Sequence, residues 1–229
     1  MSRAELARCA AGLDASHVQG LCEGHSLTPA AASAWNRLVK RAAGAGFDLA
    51  PASSWRDYAR QLAIFNGKAL GSRPVHDDEG RLLCCADFDD WPWLQRILRF
   101  SALPGASRHH WGTDLDVYDR HALPDDYQLQ LTPQEYGPGG VQSGLTAWLD
   151  DLLAADDAEG FFRPYAVDRG GVAPEPWHLS YRPDAQRFAE VVSPEHLLTI
   201  WRQEPAIEMA DTVTARLDEI WSRYVVLAV

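Results

Sequence analysis

Ser107-Arg-His-His-Trp-Gly-Thr-Asp-Leu-Asp-Val-Tyr-Asp119 is the stretch on which the fold turns. Its second half alternates, with Asp114, Asp116 and Tyr118 on one face of a strand and Leu115 and Val117 on the other. Such a strand rests on a core with one face and lines a wet cleft with the other. The first half reads as strand too, but Gly112 interrupts it. His109 and Asp116 are seven positions apart, too far to be neighbours along one strand face. A turn at Gly112 lets His109 fold back toward the strand that carries Asp116.

Working outward, helical and extended segments alternate. A short helix ends near Gly12; Thr28 caps a helix that starts at Pro29 and stops at Gly44-Ala-Gly46. Phe47 to Ser53 reads as a strand, with Pro51 marking an edge or a bulge. Asp57 caps a helix over 58–69 whose apolar face includes Leu62, Phe65 and Leu70, and Asp89-Asp90 caps another over 91–100. Residues 145–153 are helical, and 161–166 with 172–181 read as a strand pair around the turn 168–171. Beyond Pro183 the pattern is helical over 184–192, 194–203 and 206–226, with an apolar seam from Leu217 to Tyr224. His17 and His25 read as surface residues. The fold class is α+β, a small antiparallel sheet flanked by helices with a C-terminal helical extension. The corresponding divisions are 1–27, an N-terminal helix and loop; 28–183, the main domain; and 184–229, the extension.

Composition narrows the function classes. The chain has 229 residues, 46% of them hydrophobic, nine tryptophans and a formal net charge of −11. An acidic chain without a basic run has no means of releasing counterions from a nucleic acid, nor of binding an anionic membrane surface. Cys9, Cys22, Cys84 and Cys85 lack the paired spacing of a thiolate metal site and read as free thiols of a reducing compartment. The first residues are charged where a signal peptide needs an apolar core, and no apolar run is long enough to span a bilayer. The expectation is a cytoplasmic protein, or a periplasmic one if the chain is already processed.

A second short stretch, Glu175-Pro-Trp-His178, adds another acid and another imidazole. A catalytic zinc site takes three ligands from His, Asp and Glu and keeps a fourth position for water. An unligated carboxylate nearby can then remove that water's proton. Glu175 and His178 are three apart, which on an ideal strand points them to opposite faces, so Pro176 marks a bulge or the strand's start. Taken alone, a histidine and an aspartate seven apart read as a surface histidine and a capping aspartate, and His110 and Trp111 read as packing or supporting groups. Arg56 alone reads as an ordinary surface ion pair.

Together the pieces are more specific. Ser107-x-His109-x-x-Gly112-x-x-x-Asp116, followed by Glu175-x-Trp177-His178, resembles the zinc D-alanyl-D-alanine carboxypeptidases and dipeptidases, which share a fold with lysostaphin-type endopeptidases and the hedgehog signalling domain. Ser53-Ser-Trp-Arg56-Asp-Tyr-Ala-Arg-Gln61 resembles a third segment of that family, and the likeness spans residues 28–182. It implies a Zn2+ ion held by His109, Asp116 and His178, with Glu175 as the base that activates water and later protonates the leaving amine. It also implies that Arg56 stabilises the oxyanion, with Ser53, Gln61, Ser107 and Trp177 around the substrate. Asp114 stands where the family usually has a small residue. The implied partner is a short peptide ending in a D-amino acid, most simply a cell-wall peptide cut by a D-alanyl-D-alanine carboxypeptidase. A dipeptidase or another wall-peptide amidase would use the same site. From a different class, a non-catalytic zinc-containing module could bind a peptide without cutting it; Glu175 and Arg56 are the residues such a module has no need to keep.

Overall fold

The structure, a computed structural model, describes residues 1–21 and 23–225. Cys22 and the last position of the helix expected over 206–226 lie outside the described residues. The fold is α+β. Four strands, β1 (Leu49–Ser53), β2 (Asp114–Asp119), β3 (Phe161–Phe162) and β4 (His178–Tyr181), form an antiparallel sheet in the spatial order β1-β2-β4-β3. Register sets what each face carries. Leu115 lies opposite Leu179, while Asp114 faces Ser180 and Asp116 faces His178. Side chains alternate across a strand, so the leucines go to one side and the four polar groups to the other.

The apolar face rests on two helices. Leu115, Val117 and Leu179 pack with Trp35 and Leu38 of the Pro29–Gly44 helix and with Leu145 and Leu149 of the Ser143–Ala154 helix. The first of these starts where the sequence predicts, with Thr28 Oγ1 accepting from the Ala31 amide and Pro29 at the first position, where its missing N–H costs nothing. Pro51 sits in β1, which is an edge strand, and the register shifts between Pro51 and Ser53. Both devices accommodate a proline within a sheet. The bulge also swings the chain from β1 toward the cleft, where residues 53–56 meet the 109–110 turn.

A second core joins the Tyr58–Ala69 and Asp90–Leu98 helices to the C-terminal part of the chain, through Phe65, Trp93, Leu94 and Ile97 against Val213, Ile220 and Tyr224. The Leu217–Tyr224 seam therefore packs on the molecule itself. Trp201 donates from Nε1 to the Pro104 carbonyl at 3.0 Å, tying the Pro194–Gln203 helix to the loop that leads into Ser107.

Several sequence expectations need correction. Arg108–Trp111 is a 3₁₀ turn and not extended, ended by Gly112 at φ +66°. The 161–181 strand pair is reduced to two paired positions, Phe161 with Tyr181 and Phe162 with Ser180. Between them the chain runs as an irregular loop held from outside, where Arg99 pairs with Asp78 and Asp168 at 2.6 Å each. The helix over 206–226 is broken into Ala210–Ala215, Leu217–Ile220 and a last π-type turn, because Arg216 departs from helical geometry. His17 is buried, with its ring 5.3 Å from Phe188 and Nε2 3.1 Å from the His110 carbonyl. Leu70 is 64% exposed because it lies one residue past the helix end. A four-residue helix, Pro133–Tyr136, lies between β2 and the Ser143–Ala154 helix; Tyr136 Oη donates to the Val117 carbonyl at 2.7 Å and anchors that segment to β2. Cys9, Cys84 and Cys85 are free thiols. Among the described residues no helix is long and apolar enough to cross a membrane.

Candidate active site

His109, Asp116 and His178 converge from a turn and two strands. Asp116 and His178 are cross-strand partners on β2 and β4. His109 reaches them because the 3₁₀ turn and Gly112 double the chain back. A Cβ on Gly112 would overlap Val18 Cγ1, so the turn is closed by a position where only glycine fits. His109 Nε2 lies 3.3 Å from Asp116 Oδ2, and His178 Nδ1 lies 3.1 Å from Asp116 Oδ1. One ligand atom from each of the three residues falls within 4.8 Å of the others.

Hydrogen bonds behind the imidazoles decide which nitrogens face inward. His109 Nδ1 is 3.0 Å from the Ser54 carbonyl, an acceptor, so Nδ1 carries the proton and Nε2 is left with a free lone pair. His178 Nε2 is 2.8 Å from Asp114 Oδ1, so there the proton sits on Nε2 and Nδ1 faces the centre. Asp114 is fully buried and otherwise held by Arg108 Nε at 2.8 Å and Ser180 Oγ at 3.0 Å. Arg108 is itself buried, donates to Ser180 Oγ at 2.6 Å and stacks over the Trp111 ring at 4.4 Å.

The centre is built for one more positive charge. Asp116 Oδ1 is buried without an aligned hydrogen-bond donor despite its closeness to His178. Burial pushes His109 down toward the neutral imidazole that can ligate a metal. Burial would also lower His178, but the carboxylates of Asp114, Asp116 and Glu175 override it and hold a proton there well above the ordinary histidine range. A divalent cation can take that proton's place, as ligand deprotonation on metal binding requires. An orphaned carboxylate oxygen, two oriented imidazoles and an excess of buried acid fit a metal ion with three protein ligands and an open position.

Glu175 stands beside this centre without belonging to it. The chain turns between 175 and 178, the His178 amide donating to the Glu175 carbonyl at 3.1 Å, so the two side chains meet although they are three apart. Glu175 Oε2 lies 3.3 Å from His178 Nδ1. Its burial raises its pKa, with His178 opposing. An upward shift is the direction that a carboxylate acting as both proton acceptor and donor needs.

Arg56 faces the same cleft, its fork gripped from behind by Gln61 Oε1 at 2.6 Å and Ser53 Oγ at 3.0 Å. Gln61 is buried and bonded on its other side to the Ala102 carbonyl at 2.7 Å. Ser53 and Gln61 thus orient the guanidinium. Burial lowers Arg56, while Asp116 and Glu175 act in the opposite sense. Ser107 and Trp177 are buried and line a cavity of ≈ 310 Å³ that also contains Arg56, His109, Asp116, Glu175 and His178. Lys68 and Ser101 share this cavity, as do Ile220 and Tyr224 from the C-terminal segment. The sequence carried no sign of the Lys68, Ser101 and C-terminal contributions, because their proximity depends on helix packing. For Asp114 a sign existed: strand alternation puts it on the same face as Asp116.

Comparison with known proteins follows the same lines. Residues 24–184 match the family described as VanY, D-alanyl-D-alanine carboxypeptidase. An uncharacterized protein of Haemophilus influenzae is 38% identical over 126 residues, covering 54% of this chain and 93% of that protein. The structure of VanYB in complex with D-alanine-D-alanine superposes with a TM-score of 0.52 at 18% identity, covering 81% of this chain and 90% of that one. A mutant of the vancomycin-resistance D,D-pentapeptidase VanY in complex with Zn(II) gives 0.51 at 19% identity, covering 79% and 88%. At these identities the two structures establish a shared fold.

Proposed function

This chain belongs to the VanY D-alanyl-D-alanine carboxypeptidase family and is an enzyme, and on that premise we propose that it is a zinc-dependent peptidase removing the terminal residue of short peptides that end in D-alanyl-D-alanine. His109 Nε2, Asp116 and His178 Nδ1 would hold the zinc, the ion present in the solved VanY mutant. When bound, zinc supplies a Lewis acid that polarises a carbonyl and lowers the pKa of a water toward neutrality.

The remaining work falls to side chains of the chain. Glu175 takes the proton of the attacking water and passes it to the amine that leaves when the peptide C–N bond breaks. Its burial raises its pKa, which favours its holding and returning that proton. Among the described residues Arg56 pairs with no carboxylate, and its fork is already oriented by Gln61 and Ser53, so it can stabilise the developing oxyanion without reorganising. Asp114 keeps His178 in the tautomer that points Nδ1 inward. The observation that carries the reading is the placement of Glu175 against His178 Nδ1, with Arg56 in the same cavity.

The test is product analysis on D-alanyl-D-alanine, a tripeptide and a wall pentapeptide, each with and without a chelator. The expected result is chelator-sensitive release of D-alanine, lost in Glu175→Gln while zinc remains bound. Zinc-loaded protein that cleaves none of the three would leave a peptide-binding module as the better reading; activity surviving Glu175→Gln would overturn the assigned base.

A further inference from the structure

The loop over 163–177 carries Glu175, and the Trp221–Val225 turn is fastened to it. At Gly171 the two backbones touch: a Cβ there would fall onto the Arg223 carbonyl, which is main chain and cannot swing aside. Gly171 is buried, and its need to be glycine comes from this close approach. The Arg223 side chain curls back over the same place. Its Nε and Nη2 both donate to the Gly170 carbonyl, at 3.1 and 2.6 Å, and its Nη1 donates to Glu219 Oε1 at 2.8 Å. One residue thus grips the loop twice, with its main chain on Gly171 and its guanidinium on Gly170.

From this clasp to the base the loop is tied at short intervals. Arg99 Nη1 donates to the Gly171 carbonyl at 3.0 Å, and the Ala173 amide donates to the Arg99 carbonyl at 2.9 Å. The Glu175 amide donates to the Tyr165 carbonyl at 2.9 Å, and Pro174 and Pro176 restrict the backbone on either side of it. His109, Asp116 and His178 come from the 3₁₀ turn and two strands, whereas Glu175 precedes β4 and depends on this loop for its position. Ile220 and Tyr224 line the cavity beside Val172 of the loop and pack with it in the second core. Position 223 lies beyond residue 184, where the match to the family ends. The clasp therefore joins a part of the chain outside that match to the loop that carries the base.

We infer that the Trp221–Val225 turn clasps the loop at Gly170-Gly171 and so holds Glu175 against the metal centre, which makes Gly171 and Arg223 positioning residues for the proposed reaction. The inference rests on the reading of Glu175 as the base and deepens it. A reacting group displaced by about 1 Å can lose about a hundredfold in rate, while ligands on the strands keep their geometry. No bond is made or broken at either residue.

The test uses zinc-loaded, full-length protein with an acyl-D-alanyl-D-alanine as substrate. In Arg223→Ala kcat is expected to fall by about 10- to 100-fold, with KM and the zinc Kd within about threefold of wild type. Gly171→Ala, which forces the turn off the loop, should act in the same way. Arg223→Lys, which keeps a donor for the Gly170 carbonyl, should recover part of the loss. Hydrogen exchange gives a readout independent of turnover. The Ala173 and Glu175 amides lose protection in Arg223→Ala, while the Val117 and Tyr181 amides of β2 and β4, bonded to the Trp177 and Thr113 carbonyls, keep theirs. Unchanged protection at 173 and 175, or a loss spread equally over β2 and β4, overturns the positioning role and leaves the peptidase reading standing. A fall in zinc affinity that matches the fall in kcat overturns it too. Wild-type protein that cleaves no peptide overturns the peptidase reading and with it the catalytic meaning of the clasp; its grip on the loop is then decided by hydrogen exchange alone.

Discussion

Asp114 Oδ1 accepts a 2.8 Å hydrogen bond from His178 Nε2, and this bond turns His178 Nδ1 toward Asp116 and Glu175. A buried arginine compensates the aspartate: Arg108 Nε at 2.8 Å. A ligating histidine whose second nitrogen is held by a carboxylate is oriented and more basic. The site thus has a carboxylate behind one imidazole and a cation behind that carboxylate.

Removing Asp114 should therefore be felt twice. Asp114→Ala frees the His178 ring and weakens metal binding by about 10- to 100-fold, measurable by competition with a chromophoric chelator. It also strands Arg108, at a cost of about 3–5 kcal/mol in urea unfolding. Arg108→Met combined with Asp114→Ala should recover much of the stability and none of the metal affinity. Full additivity of the two stability losses would show that the ion pair is not the coupling.

Metal removal should lower stability by an amount set by mass action. With zinc at a hundred times its Kd the folded state gains about 2.7 kcal/mol over the chelated protein, visible as a higher Tm in scanning calorimetry. His109→Ala, Asp116→Ala and His178→Ala should each abolish the zinc-dependent increment, whereas Glu175→Gln should keep it. Loss of the increment in Glu175→Gln would make Glu175 a ligand.

Substitution at Gly112 should cost stability and site geometry together. Gly112→Ala places a Cβ onto Val18 Cγ1 at a position where φ is +66°. The left-handed backbone and the overlap together destabilise by about 1–3 kcal/mol or more. Because the same turn brings His109 to Asp116, zinc affinity should fall as well. Unchanged zinc affinity in a destabilised variant would separate the turn from the metal centre.

Much of this protein is local in origin. Thr28, Asp57 and the proline at position 29 mark helix starts because capping depends on two or three neighbouring residues. Leu115 and Val117 against Asp114 and Asp116 announce a strand between a core and a cleft, because alternation is a property of the backbone itself. The motif likeness named His109, Asp116, Glu175 and His178 as candidates, and the chain folds so that all four meet. What the sequence did not decide is orientation and company. Which imidazole nitrogen faces inward depends on the Ser54 carbonyl and on Asp114, partners that β-bulge and strand register bring into range. The irregular 163–177 loop is held by Arg99 across the molecule, and the break at Arg216 lets Ile220 and Tyr224 reach the second core. Lys68 faces the cavity because two helices pack as they do. Contacts between residues far apart in the chain exist only once the layers are assembled, and at this site they determine where charge is left without a partner.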